Sequence, residues 1–118
     1  MLEHDFTVSK IESIAQVDFS QTNVFLSKTS DEISLVCESV HTPSETIASE
    51  PGWKALKVSG VLDFGMVGVI ARISNVLAEA GISIFVVSTY NTDYILLKAK
   101  VLEKGIQVLS SNGYDVMN

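Results

Sequence analysis

Basic residues are scarce in this chain. Eight Lys and Arg stand against fourteen Asp and Glu, a net charge of −6 over 118 residues. Affinity for a phosphate backbone comes mainly from clustered Lys and Arg, so nucleic acid is excluded as an expected partner. Cysteine is limited to Cys37, which rules out an intrachain disulfide and fits a reducing, cytoplasmic setting. A single cysteine also leaves no paired thiolates for a structural metal site, and His4 and His41 stand far apart. No apolar run reaches membrane-spanning length; the longest, Ile82 to Val87, has the length of a buried strand. The acidic start, Met1-Leu2-Glu3-His4-Asp5, lacks both halves of a secretory signal. Proline occurs twice, both times between His41 and Gly52, a stretch that reads as a linker.

What is abundant is apolar surface, at 47% of residues, enough for one compact domain or two very small ones sharing a core. From Met66 to Ala80, apolar residues recur at three- and four-residue spacing (Met66, Val69, Ile70, Ile73, Val76, Leu77, Ala80). Arg72, Asn75 and Glu79 fall on the opposite side, which predicts an amphipathic helix that Gly81 ends in the left-handed region. Ile82 to Ser88 is apolar and β-branched on both faces, and is expected at the centre of a sheet. Turn residues from Tyr90 to Asp93 then lead to a hairpin partner, Tyr94 to Lys98. A second helix is expected over Val101 to Asn112, with Gly105 inside it costing about 1 kcal/mol relative to alanine. Gly113 ends that helix, and Tyr114 to Met117 forms a last short strand. With Trp53 to Ser59 in front, the order is β-α-β-β-α-β, the ferredoxin-like arrangement of an α+β protein.

The N-terminal half reads as a worn copy of the same pattern. Phe6-Thr7-Val8-Ser9 echoes Leu56-Lys57-Val58-Ser59, and Phe25-Leu26-Ser27 with Ile33-Ser34-Leu35-Val36 echoes Val86-Val87-Ser88 with Tyr94-Ile95-Leu96-Leu97. The offset grows from 50 residues at Val8 to 61 at Ser27, so about eleven residues are missing from the first copy's helix, leaving Lys10 to Gln16. The expected division is a degenerate repeat and linker over 1–52 and a complete repeat over 53–118.

Chemistry concentrates in the turn before the first helix. Asp63-Phe64-Gly65-Met66-Val67-Gly68 places backbone amides at a helix start, where the dipole and free N–H groups favour a small anion such as a carboxylate. Asp63 is equally suited to capping the helix, and Gly65 and Gly68 to shaping a tight turn. Ser59, Ser88 and Ser110 have no His or Lys at a suggestive spacing, and no phosphate-cradling glycine motif is present. No catalytic constellation emerges, so a non-enzyme without cofactor or metal is expected.

These residues resemble the ACT domains, which bind amino acids and regulate metabolic enzymes. The resemblance rests on Asp63 after the first strand, then Gly68-Val69-Ile70-Ala71, then Leu77-Ala78-Glu79-Ala80-Gly81-Ile82-Ser83-Ile84. It is closer to paired ACT modules of the arginine-sensor type and to aspartate kinase regulatory domains. That likeness lies in Trp53-Lys54-Ala55-Leu56-Lys57-Val58, Leu62-Asp63-Phe64, Ser88-Thr89-Tyr90-Asn91-Thr92-Asp93-Tyr94-Ile95-Leu96 and Asp31-Glu32-Ile33-Ser34-Leu35-Val36-Cys37. Many members carry proline before the turn glycine; Val67 stands there and keeps an extra amide.

The resemblance implies a non-catalytic regulatory module binding a small molecule, foremost an amino acid, at an interface between repeats or chains. Amides of Val67 and Gly68 would take the carboxylate and Asp63 the ammonium, with Phe64, Gly65 and Met66 completing the turn. Ser88 and Thr89, from the strand Phe85 to Thr89, would form the opposite wall. It further implies a homodimer and a regulated enzyme or complex as partner, with no membrane association. The alternative is a scaffold that keeps the fold, binds no ligand and acts through protein contacts.

Overall fold

The computed structural model describes residues 1–58 and 68–116. Two compact units divide the chain: His4–Trp53, and Met1–Glu3 with Lys54–Asn118.

The first unit is built on three strands, β1 (Phe6–Ile11), β2 (Phe25–Lys28) and β3 (Ile33–Glu38), and on the first part of β4 (Ala48–Lys57). Hydrogen bonding runs in the order β2-β3-β1-β4. The β1 ladder with β3 is antiparallel and unbroken from Phe6 opposite Glu38 to Ile11 opposite Ile33. On one face Ile11, Leu35 and Cys37 form a small buried cluster, closed over by Val17, Val24, Leu26 and Ile33. In place of the helix expected over Lys10 to Gln16, Lys10 and Ile11 belong to β1 and only one 3-10 turn follows, Ile14–Gln16. Ser13 and Gln16 hold that turn as a reciprocal capping box, each satisfying a backbone N–H of the other's end.

β4 corrects the linker reading of His41 to Gly52, because residues 48–52 belong to the strand. Phe6 lies opposite Trp53 and Val8 opposite Glu50, so two residues of β4 face the single Thr7. The extra residue makes a bulge at Pro51-Gly52, where proline's missing N–H breaks no ladder bond and Gly52 takes φ +85°. A Pro-Gly pair that reads as a chain breaker is here a kink within a strand.

The second unit adds α1 (Val69–Glu79), β5 (Ile84–Ser88), β6 (Asp93–Lys98) and α2 (Leu102–Ser111), with 3-10 residues Ala99–Val101 leading into α2. It is an α+β arrangement of antiparallel hairpin and two helices, ferredoxin-like in element order. Leu56, Ile73, Leu77, Ile82, Ile95, Leu97 and Leu109 form its core, with Leu77 and Leu97 fully buried. Gly81 ends α1 at φ +75°, with Gly81 N–H on the Ala78 carbonyl and Ile82 N–H on the Leu77 carbonyl. The same pair of bonds closes α2, from Gly113 to Ser110 and from Tyr114 to Leu109.

Two expectations fail in this unit. The strand expected at the sheet centre over Ile82 to Ser88 is β5, which starts at Ile84 and stands last in the order β4-β6-β5. None of its residues is fully buried. Its apolar run mimics a strand covered on both faces, whereas β6 takes the inner place because the crossover through α1 leaves one strand's width beside β4. The last strand expected over Tyr114 to Met117 is also missing from its described part, since 114–116 make no ladder. Those residues instead pack Tyr114 and Val116 against the core.

Candidate functional site

The described part of the predicted site lies where three strand ends meet. Val58, one residue past β4, donates its N–H to the Asp93 carbonyl at 2.9 Å. Asp93 opens β6 and lies directly opposite Ser88, the last residue of β5. The ends of β4 and β5 therefore reach the same residue. Val58 leads directly into the segment 59–67, and α1 begins just beyond it. Asp63, Phe64, Gly65, Met66 and Val67 lie outside the described residues.

Gly68 is the N-cap of α1, at φ +86°, and its carbonyl accepts from Arg72 N–H at 2.9 Å. As a glycine it has no side chain to offer the first helical N–H groups. The positive end of the helix dipole lies here. Thr89 is committed to the hairpin turn. Its N–H and its hydroxyl both donate to the Thr92 carbonyl at 2.8 Å, and the hydroxyl accepts from Thr92 N–H at 3.2 Å. A ligand would meet the Thr89 methyl and the neighbouring backbone rather than a free hydroxyl. Ser88 is exposed at the end of β5.

Asp93 has a larger part than turn chemistry alone suggests, because its carbonyl ties the end of β4 to the hairpin. The signal for this was its place one residue before the apolar run of β6. Elsewhere, Cys37 is free and buried, and burial pushes its thiol pKa up, as does Glu38, while a weak bond to Thr42 acts in the other direction. Such a thiol is a poor nucleophile. Among the described residues no group of His, Cys, Asp and Glu could hold a metal ion, and no helix is long and apolar enough to cross a membrane.

Comparison with known proteins gives the family. The ACT domain model matches residues 48–111, which span β4 through α2. A crystal structure of a protein from Agobacterium tumefaciens is 30% identical and superposes with a TM-score of 0.87, over 97% of this chain and 87% of that one. A Vibrio cholerae protein of unknown function, described as a possible transport protein, is 19% identical with a TM-score of 0.73, over 96% of this chain and 87% of its own. The aspartate kinase of Clostridium acetobutylicum, described as an allosteric enzyme, is 15% identical with a TM-score of 0.66. The match covers 91% of this chain and 32% of the kinase. At these identities the last two share the fold alone. No curated protein matches the chain. Because the matching family model spans more than half of the chain, the chain belongs to the ACT domain family.

Proposed function

We propose that this protein is a non-catalytic regulatory module that binds an α-amino acid at an interface between ACT-like repeats or chains. The observation that carries the reading is a helix, α1, whose N-cap has no side chain, in a unit where the β4 and β5 ends meet at Asp93. Amides at Val67 and Gly68 would hold the ligand carboxylate, with the helix dipole behind them. Asp63 would accept from the ammonium, and Phe64, Gly65 and Met66 would shape the turn around it. Ser88 and the backbone at Thr89 would form the facing wall of a neighbouring module. Family membership and a fold shared with an enzyme described as allosteric support a regulatory role.

The reading includes a tandem organisation, with a degenerate copy over 1–52 and a complete one over 53–118, like the paired modules of the arginine-sensor type. Recurrent geometry supports it. Thr29 N–H bonds to the Glu32 carbonyl at 2.9 Å and Thr89 N–H to the Thr92 carbonyl at 2.8 Å, 60 residues apart. The 3-10 turns Ser39–His41 and Ala99–Val101 follow at the same offset. Ile11 lies opposite Ile33, while Val58 bonds to Asp93, so the first strands stand 47 residues apart and the later ones 60. On that register the first copy is short by thirteen residues, rather than the eleven suggested by sequence echoes, and the shortfall falls where α1 stands in the second copy. The protein would act in the cytoplasm as a homodimer, with a metabolic enzyme or complex as its target.

A thermal-shift screen over the twenty amino acids tests the proposal. A ligand at a hundred times its dissociation constant raises stability by about 2.7 kcal/mol, which moves the midpoint measurably. If no amino acid moves it, the sensor reading fails and the scaffold reading takes its place.

A further inference from the structure

A cavity of about 350 Å³ opens within the second unit, away from the turn at Gly68. Leu56 and Val58 from the end of β4, Ile73 of α1, Ile95 of β6 and Leu109 of α2 line it, and the segment Gly113–Val116 forms one wall. The volume lies within the range of small-molecule sites, and a cavity less than half as large can hold a benzene ring. Its lining is mostly apolar, with Lys57, Tyr114 and Asp115 as the polar residues. The Tyr114 hydroxyl is buried and has no hydrogen-bond partner among the described residues. A buried hydroxyl without a partner is costly, so one that borders a cavity marks a place where a ligand atom can complete it.

The charges nearby do not contribute to the lining chemistry. Lys57 borders the cavity but alternates with Leu56 and Val58, so the pleat sends its side chain to the other face, and it is exposed. Asp115 borders the cavity and is exposed too. A charged ligand would be stripped of water here without an ionic partner.

We propose that this cavity is a second binding site, for a neutral molecule with an apolar body of one or two rings and one hydrogen-bond acceptor that takes the Tyr114 proton. The described residues of the site all belong to one unit, and the site does not rest on the amino-acid reading. The C-terminal segment closes it: Tyr114–Val116 pack on the core instead of continuing the sheet, which leaves room between them and the end of β4.

The test uses the isotope-labelled full chain and four probes of matched size: acetophenone, ethylbenzene, benzoate and benzylammonium. Acetophenone is expected to shift the amide signals of Leu56, Ile95, Tyr114 and Val116 saturably. Ethylbenzene, lacking the acceptor, should bind about fivefold more weakly, the effect of one neutral hydrogen bond. The two charged probes should give no saturation. Tyr114→Phe should keep the fold and erase the preference for acetophenone over ethylbenzene. Val116→Trp should fill the cavity and remove both, while Asp63→Ala should leave acetophenone binding unchanged. The proposal is overturned if no probe saturates, if benzoate or benzylammonium binds as well as acetophenone, or if Tyr114→Phe retains the wild-type preference. The Tyr114→Phe comparison decides the matter even where Val116→Trp fails to fold.

Discussion

Gly105 shows how a residue that looks like a defect in the sequence can be required by packing. A Cβ at this position would lie 2.6 Å from Leu97 Cδ1, with Ile82 Cδ1 and Leu77 Cδ2 at 3.8 and 3.9 Å. Leu97 and Leu77 are fully buried and have little room to give. Gly105→Ala gains about 1 kcal/mol of helix propensity but forces extra volume into a filled core, at about 1–3 kcal/mol. A net loss of about 1 kcal/mol in urea denaturation is expected, and a more stable variant would mean that α2 can move away from β6. Cys37 gives a second prediction at this scale. Burial raises its folded pKa, so the neutral thiol is favoured in the folded state. Its contribution is complete below the unfolded thiol's value, about 8.5, and is lost as pH rises through the higher folded value. The unfolding midpoint should thus fall with rising alkalinity above about pH 9 and do so less steeply in Cys37→Ala. A thiol reagent should label the native protein far more slowly than the unfolded chain. An equally steep fall in Cys37→Ala would assign the effect to other groups.

At the scale of elements, local signals were legible and neighbour relations were not. The apolar stripe from Val69 to Leu77 and the glycines at 81 and 113 marked both helices and their ends, because helix periodicity and left-handed stops are encoded within a few residues. Gly81→Ala is accordingly expected to lose about 1–2 kcal/mol, the cost of a left-handed residue with a Cβ, readable as a lowered thermal midpoint. A change within error would show that the Leu77 and Ala78 carbonyls find other donors. The position of β5 in the sheet depends on which strand fills the place beside β4, and no run of apolar residues states that. The start of β4 was hidden for a different reason. Pro51 and Gly52 carry the signature of a linker, and only the register between β1 and β4 reveals them as a bulge. The absence of a strand at 114–116 is likewise a matter of partners, since Tyr114 and Val116 have the alternation of a strand but turn their apolar side chains onto the core.

At the scale of the whole molecule, the sequence made the ACT family readable because its pattern is local: a turn, a helix start and a helix stop within some twenty residues. Of the expected site residues, the structure describes Gly68, Ser88 and Thr89. The Ser88–Asp93 pairing was legible as a local hairpin, whereas the bond from Val58 to Asp93 joins residues 35 apart, which no local motif records. The Thr89 hydroxyl is held by the hairpin turn, donating to the Thr92 carbonyl and accepting from Thr92 N–H. The central claim is the proposed one, that residues 63–68 and 88–89 act together on one ligand. The most direct measurement is a calorimetric titration of the amino acid with the largest thermal shift into the wild-type protein and into Asp63→Ala. The account predicts saturable binding to the wild type and at least tenfold weaker binding to the variant, with the unliganded thermal midpoint little changed because Gly68, not Asp63, is the N-cap of α1. Equal affinity in the two proteins would contradict it.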